Sequence, residues 1–199
     1  MTDPNASTNP SAPRDKQTKY ARPEWERRFL LAGPLPGTPV KSAEITDRYL
    51  LGTRLRLRRT VETAAGETRT FYKLTQKIPA PDGGPGLITT VYLDAAEYER
   101  LSSLPAAVLR KTRLSIPPLG VDVFAPPLAG LYLAEAEFDS AAELQAFAVP
   151  ICAVAEVTHD PRFTGGRFAA MTAEELAALL SAFGIRSLRR GLSPGSTGA

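Results

Sequence analysis

At 199 residues, with 43% hydrophobic and 23% charged side chains, the chain has the makeup of one globular domain carrying tails. No run approaches the roughly 18–20 apolar residues of a membrane helix, and the N-terminus MTDPNASTNPSAPRDKQTK lacks the apolar stretch of a secretion signal, so a cytoplasmic protein is expected. The net charge of +3 comes from the ends: residues 1–22 carry +2, residues 186–199 carry +3, and the body, 23–185, carries −2, which argues against a uniformly basic nucleic-acid-binding domain.

One cysteine, Cys152, excludes an intrachain disulfide and a cysteine metal cluster, and its apolar setting (Val149-Pro-Ile-Cys-Ala-Val) predicts a small buried hydrophobe. The single histidine, His159, leaves histidine zinc sites and Ser-His-Asp relays little to work with, and its loop predicts a solvated side chain. The body is polarised along the sequence. Residues 54–113 hold eleven Lys/Arg against six acids, and residues 114–185 hold two against nine. Folded into one domain, the two halves suit a site that binds an anion and a cation together.

In chain order, residues 1–22 are rich in Ser, Thr, Asn, Pro and charge, and are expected to be a disordered tail ahead of a domain over 23–185. Period-two alternation then predicts a strand over 24–32, with Glu24, Glu26 and Arg28 on one face. After the turn Pro34-Leu-Pro-Gly comes a strand over 53–61, with Arg54, Arg56 and Arg58 on one face and leucines on the other. The next runs over 69–78 and aligns Lys73, Thr75 and Lys77; a Gly-rich turn leads to a strand over 87–93. Asp94 and Glu97 fit a capping box at a helix start, and Pro105 predicts a short helix over 105–110. Strands over 111–116 (Lys111 and Arg113 sharing a face), 120–124 (Asp122 between two valines), 131–138 (Glu135 and Glu137 sharing a face) and 153–158 follow. Ser140 with Glu143 and Thr172 with Glu175 open two more helices; the second presents Leu176, Leu179, Leu180 and Phe183 at helical spacing. Residues 186–199 read as a flexible tail. The sum is an α+β domain dominated by antiparallel sheet.

The charged strand faces are compatible with a sheet whose polar side simply meets water. Ordinary solvent faces mix signs, however, and like charges side by side on a strand repel. Here three arginines stack on one strand, two lysines on another and glutamates on two more, which a ligand of opposite charge would explain. If the helices cover the apolar faces, the charges turn inward, and dry burial of so many would be prohibitive. The interior would then be a wet, ligand-accepting barrel. A flat sheet with helices on one side satisfies the same pattern.

Glu24-Trp-Glu-Arg-Arg-Phe resembles the ExExK signature of CYTH proteins, the triphosphate tunnel metalloenzymes. It is followed in order by Arg-Leu-Arg-Leu-Arg (54–58), Leu-Thr-Gln-Lys (74–77), Arg-Lys-Thr-Arg (110–113), Val-Asp-Val-Phe (121–124), Ala-Glu-Ala-Glu-Phe (134–138) and Glu-Val-Thr (156–158), so the resemblance spans roughly 24–168. It implies a closed eight-stranded antiparallel β-barrel with amphipathic helices packed outside, and Mg²⁺- or Mn²⁺-dependent hydrolysis of a triphosphate (inorganic, thiamine or nucleoside). It also implies metal binding by Glu24, Glu26, Asp122, Glu135 and Glu137. Arg54, Arg56, Arg58, Lys73, Lys77, Lys111 and Arg113 would hold phosphate, and Glu24, Glu26 and Arg28 would form the catalytic set. The chain departs from the pattern at Arg28, where the signature has Lys, and at Thr89 and Thr90, where many members carry acids that ligate metal better. Two alternatives accompany this expectation: a non-catalytic polyphosphate or nucleotide binder, and an adenylate cyclase of the same fold. The expected partner is a triphosphate-containing small molecule, with neither membrane nor nucleic acid; a homodimer is left open.

Overall fold

Alternating residues become strands where both edges find partners. In the computed structural model, which describes residues 20–80 and 84–185, the strands are β1 (Arg22–Leu31), β2 (Lys41–Leu50), β3 (Leu55–Ala64), β4 (Glu67–Ile78), β5 (Gly86–Leu93), β6 (Ala106–Ile116), β7 (Leu119–Phe124), β8 (Tyr132–Phe138) and β9 (Ala153–Glu156). The helices are α1 (Ala95–Ser102), α2 (Ala141–Ala146), α3 (Gly165–Ala169) and α4 (Ala173–Ser181), with a 3-10 turn at Pro161–Phe163. Neighbours run β5-β4-β3-β2-β6-β7-β8-β1-β9, all antiparallel, and β5 also pairs with β1. That last pairing closes an eight-stranded barrel. One edge of β1 carries β8 from Trp25 to Leu31; the other is divided, Arg22–Glu24 lying on β5 and Phe29–Leu31 on β9.

Alternation sorts the apolar residues into two groups. Phe29, Leu31, Val121, Ala134 and Ala136 face outward and pack with Phe138 and Phe147 beside α2. Leu30, Leu109, Phe124 and Leu133 share the inward face with Arg28, Lys111, Asp122 and Glu135. They pack against Phe163, Phe168, Leu176, Leu179 and Leu180. Helices α1 and α2 thus lie outside the strand wall, and the segment from Phe163 through α4 covers one end of the lumen with an apolar plug. Burying each such Leu or Phe contributes about 1.5–3 kcal/mol. Capping boxes start α1 at Asp94 and α4 at Thr172, as expected. At α2, Ser140 accepts from the Glu143 N–H, and the Glu143 carboxylate accepts from Asp139 N–H instead.

Four local expectations are corrected. Residues 41–50 form β2, a strand the sequence pattern did not reveal, because Asp47 interrupts its inward apolar row. The segment 105–110 is not a helix: Ala106 onward belongs to β6, held to β2 by a register running from Ala106 to Ser115, and tertiary pairing overrides the helical preference of Pro-Ala-Ala. Gly165-Gly166, a glycine pair that reads as a turn signal in the sequence, instead opens α3. Cys152 is exposed, because it lies in the turn leading into β9 beside an exposed Ile151. The expected tails, 1–22 and 186–199, lie outside the described residues except for 20–22, where Arg22 begins β1.

Candidate active site

The lumen is a cavity of about 1040 Å³, at the upper end of the range for small-molecule sites. Its cationic wall comes from Arg54, Arg56 and Arg58 on β3, Lys77 on β4, Lys111 on β6 and Arg28 on β1; its acidic wall comes from Glu24 and Glu26 on β1 and Glu135 on β8. These strands are distant in sequence, and barrel closure brings them together. Arg56 and Arg58 are largely enclosed, while Arg54 sits exposed at the rim.

Beneath the arginines lies Asp47, 1% exposed. Arg58 donates to both its oxygens at 2.6 and 2.7 Å, and Arg56 Nε stands 3.6 Å away. Burial pushes the Asp47 carboxyl up, but the Arg58 hydrogen bonds and the charges of Arg58, Arg56 and Lys111 outweigh it and leave it below the usual carboxylate range. Across the lumen, Asp122 accepts from Lys111 and from Arg113, the latter through two bonds of 2.7 Å; Arg113 also bonds Glu135. Burial opposes ionisation of Glu135, yet Arg113 and Lys111 hold it far below the usual range. Burial drives Lys111 below the ordinary lysine value despite Asp122 and Glu135. The Glu26 carboxyl is raised: burial is the main cause, Lys77 opposes it, and Glu135 and Glu24 add to it.

The expected residues divide accordingly. Arg28, Arg54, Arg56, Arg58, Lys77, Lys111, Glu24, Glu26 and Glu135 converge on one cavity. Arg113 backs the wall and is committed to Asp122 and Glu135. Asp122 is fully buried, with both oxygens occupied by cationic side chains. The Glu137 side chain is 77% exposed, and Lys73 stands over the exposed Tyr92 ring, 5.0 Å from its centroid. Arg28 donates to the Phe163 carbonyl and, at 2.5 Å, to the Thr158 carbonyl, tying β1 to the plug. Thr89 and Thr90 lie on β5, opposite Gln76 and Thr75.

Two β2 residues at this site escaped the sequence reading: Tyr49, which lines the cavity, and Asp47, buried behind the arginines. The partial signal was the alternation of Ala43, Ile45, Asp47 and Tyr49, in which the carboxylate breaks the apolar row. Burial, with Asp47 adding and Arg56 opposing, pushes the Tyr49 phenol up to about 12. Two buried donors on adjacent strands, Arg56 Nε and Thr75 Oγ1, have no hydrogen-bond partner.

Of the five carboxylates expected to bind metal, Asp122 is enclosed by Lys111 and Arg113 and Glu137 is exposed. Among the described residues, no three Asp, Glu, His or Cys side chains converge on a cation site. The pair Glu24–Glu26 does fit a smaller role: Lys77 Nζ stands 2.6 Å from Glu24 and 3.9 Å from Glu26, so the two carboxylates already share one cation. Mg²⁺ is commonly held by one or two carboxylates together with substrate phosphates.

Comparison with solved structures gives NE1496, a hypothetical protein, at 28% identity and TM-score 0.50, over 75% of this chain and 99% of that one. The fold is that of the CYTH triphosphate tunnel. A second structure, the inorganic triphosphatase NE1496, is 26% identical at TM-score 0.49, covering 74% of this chain and 95% of that one. PH1819 from Pyrococcus horikoshii OT3 is 14% identical at TM-score 0.41 over 84% and 93%. No family model and no curated protein matches the sequence. No helix among the described residues is long and apolar enough to cross a membrane. In the tunnel of this chain, Phe163 and Phe168 of the plug line the same cavity as Glu24, Lys77 and Arg54.

Proposed function

We propose that this tunnel binds the phosphate chain of a triphosphate and hydrolyses its terminal anhydride. The observation that carries the reading is the pair of buried donors without acceptors, Arg56 Nε and Thr75 Oγ1, facing a lumen lined by further cations. An unpaired buried donor costs about 1–3 kcal/mol, and a ligand rich in acceptor oxygens removes that cost. The NE1496 structure described as an inorganic triphosphatase supports the same reading.

Phosphoryl transfer depends mainly on positioning and charge neutralisation. Arg56, Arg58 and Lys111 would hold nonbridging oxygens, Arg through bidentate contacts and Lys as a point charge. Lys77 is free to move from Glu24 to the incoming phosphate. Glu24 and Glu26 would hold Mg²⁺ or Mn²⁺ together with phosphate oxygens, and the metal when bound supplies charge neutralisation and a water of lowered pKa. Attack of water on the terminal phosphorus breaks the P–O–P bridge and releases orthophosphate and the shortened chain.

The test is phosphate release from inorganic triphosphate, thiamine triphosphate and ATP, with Mg²⁺, with Mn²⁺ and with EDTA. Metal-dependent release is expected. Binding without release would select a second reading, a non-catalytic polyphosphate or nucleotide binder, which the commitment of Arg28 to two backbone carbonyls favours. Cyclic AMP from ATP would select a cyclase.

A further inference from the structure

We propose that Gly165 is a positioning residue for Tyr49, its missing side chain allowing the phenol to seat against α3 beside Arg56 rather than farther into the lumen, across the path of a phosphate chain. The proposal rests on the triphosphate reading above and adds a residue to it. A Cβ built on Gly165 falls 1.9 Å from Tyr49 Oη and 2.9 Å from Cζ, distances no real contact sustains. Neither Gly165 nor Gly166 has the positive φ that would demand glycine, so at Gly165 close approach is the reason. Gly166, one residue on in the same helix, is different: its Cβ would lie 3.8 Å from Tyr49 Cδ1, an ordinary contact.

Tyr49 has little room to yield. On β2 it lies between Ala107 of β6 and Arg56 of β3, and its ring packs on the plug cluster. A phenol displaced by a methyl group at 165 moves into the lumen, toward Arg56 Nε and Thr75 Oγ1, the donors left open for ligand. Gly165 also begins the helix that the plug is built on. Arg28 fixes the other side of that segment at the Phe163 carbonyl, so lifting the plug is resisted as well.

The experiment compares Gly165→Ala and Gly166→Ala, each in the natural chain and in a Tyr49→Ala background. The two substitutions change helix propensity alike and differ in the clash. Inorganic triphosphate binding by calorimetry, KM and kcat, and phenol titration by ultraviolet difference absorbance are the readouts. Gly165→Ala is expected to weaken binding roughly tenfold or more, mainly through KM, and to bring the Tyr49 titration down from about 12 toward 10.0. Gly166→Ala should behave as the natural protein, and Gly165→Ala should have no further effect once Tyr49 is Ala. Equal losses at 165 and 166, equal losses in both backgrounds, or an unmoved phenol titration would overturn the proposal. If Gly165→Ala alone does not fold, recovery of the fold in the double variant supports the clash. Should the natural protein not bind triphosphate at all, the functional reading fails, while the titration still decides the Gly165–Tyr49 contact.

Discussion

Arg56 and Glu26 carry opposite halves of the site, and each makes a separable prediction. Arg56 Nε is ion-paired with Asp47 at 3.6 Å but makes no hydrogen bond, so Arg56→Ala removes a preplaced donor without opening the core. Turnover of triphosphate is expected to fall by roughly 10²–10³-fold, with the circular dichroism spectrum unchanged; wild-type rates would remove Arg56 from the site. Glu26 is raised above 4.5 by burial and by Glu135 and Glu24. The form that accepts a cation is the ionised one, so activity should rise with pH through a limb lying above 4.5. Glu26→Gln should abolish that limb along with activity, whereas Glu137→Gln, at the exposed rim, should leave the profile in place. Residue chemistry of this kind was legible in advance. Arg54, Arg56, Arg58, Lys77, Lys111, Glu24, Glu26 and Glu135 all announce themselves by clustering like charges on strand faces. What the pattern could not show was which charges satisfy each other: Asp122 pairs with Lys111 and Arg113, and Lys73 stacks on Tyr92, because register across strands is a property of the closed sheet.

At the level of elements, α3 and α4 do more than shield the barrel's flank. Leu176 is 3% exposed within the plug cluster, and Leu176→Ala should lower unfolding free energy by about 2–5 kcal/mol, measured by denaturant titration. Arg28 links β1 to this plug through two backbone carbonyls. Arg28→Lys keeps the charge but cannot reproduce the fork, and a stability loss of about 2 kcal/mol is expected; an unchanged midpoint would show the clamp to be dispensable. The helices whose signals are local, α1 and α4, were readable from their capping residues. By contrast, β2 and the start of β6 were not. Each is a strand because of a partner elsewhere in the chain: Asp47 is tolerated on an inward face only since Arg58 of β3 meets it, and Ala106–Leu109 extend only since β2 lies alongside. A lone sequence window contains neither partner.

Across the whole molecule, the buried charge network sets the response to acid. Asp47 and Glu135 are both held below their unfolded values of 3.8 and 4.5. Their contribution is complete above those values and is lost as pH falls through the folded ones. Glu26 has the opposite sign: its raised value makes its contribution fall as pH climbs past 4.5. Denaturant midpoints measured downward from neutral pH should therefore drop steeply in acid, and Asp47→Asn should flatten that drop while lowering the plateau. A midpoint that stays level in acid would show that these pairs do not govern stability.

The division of β1 between three partners has a consequence for how the chain is made. This strand is synthesised before its partners, its hydrogen bonds going to segments beginning at Gly86, Tyr132 and Ala153. Such distant pairing slows folding. Glu24, Glu26 and Arg28 must wait on the nascent polypeptide until residue 156 has left the ribosome. A chain that terminates early would leave that strand edge bare, a target for chaperones and proteases and a seed for aggregation.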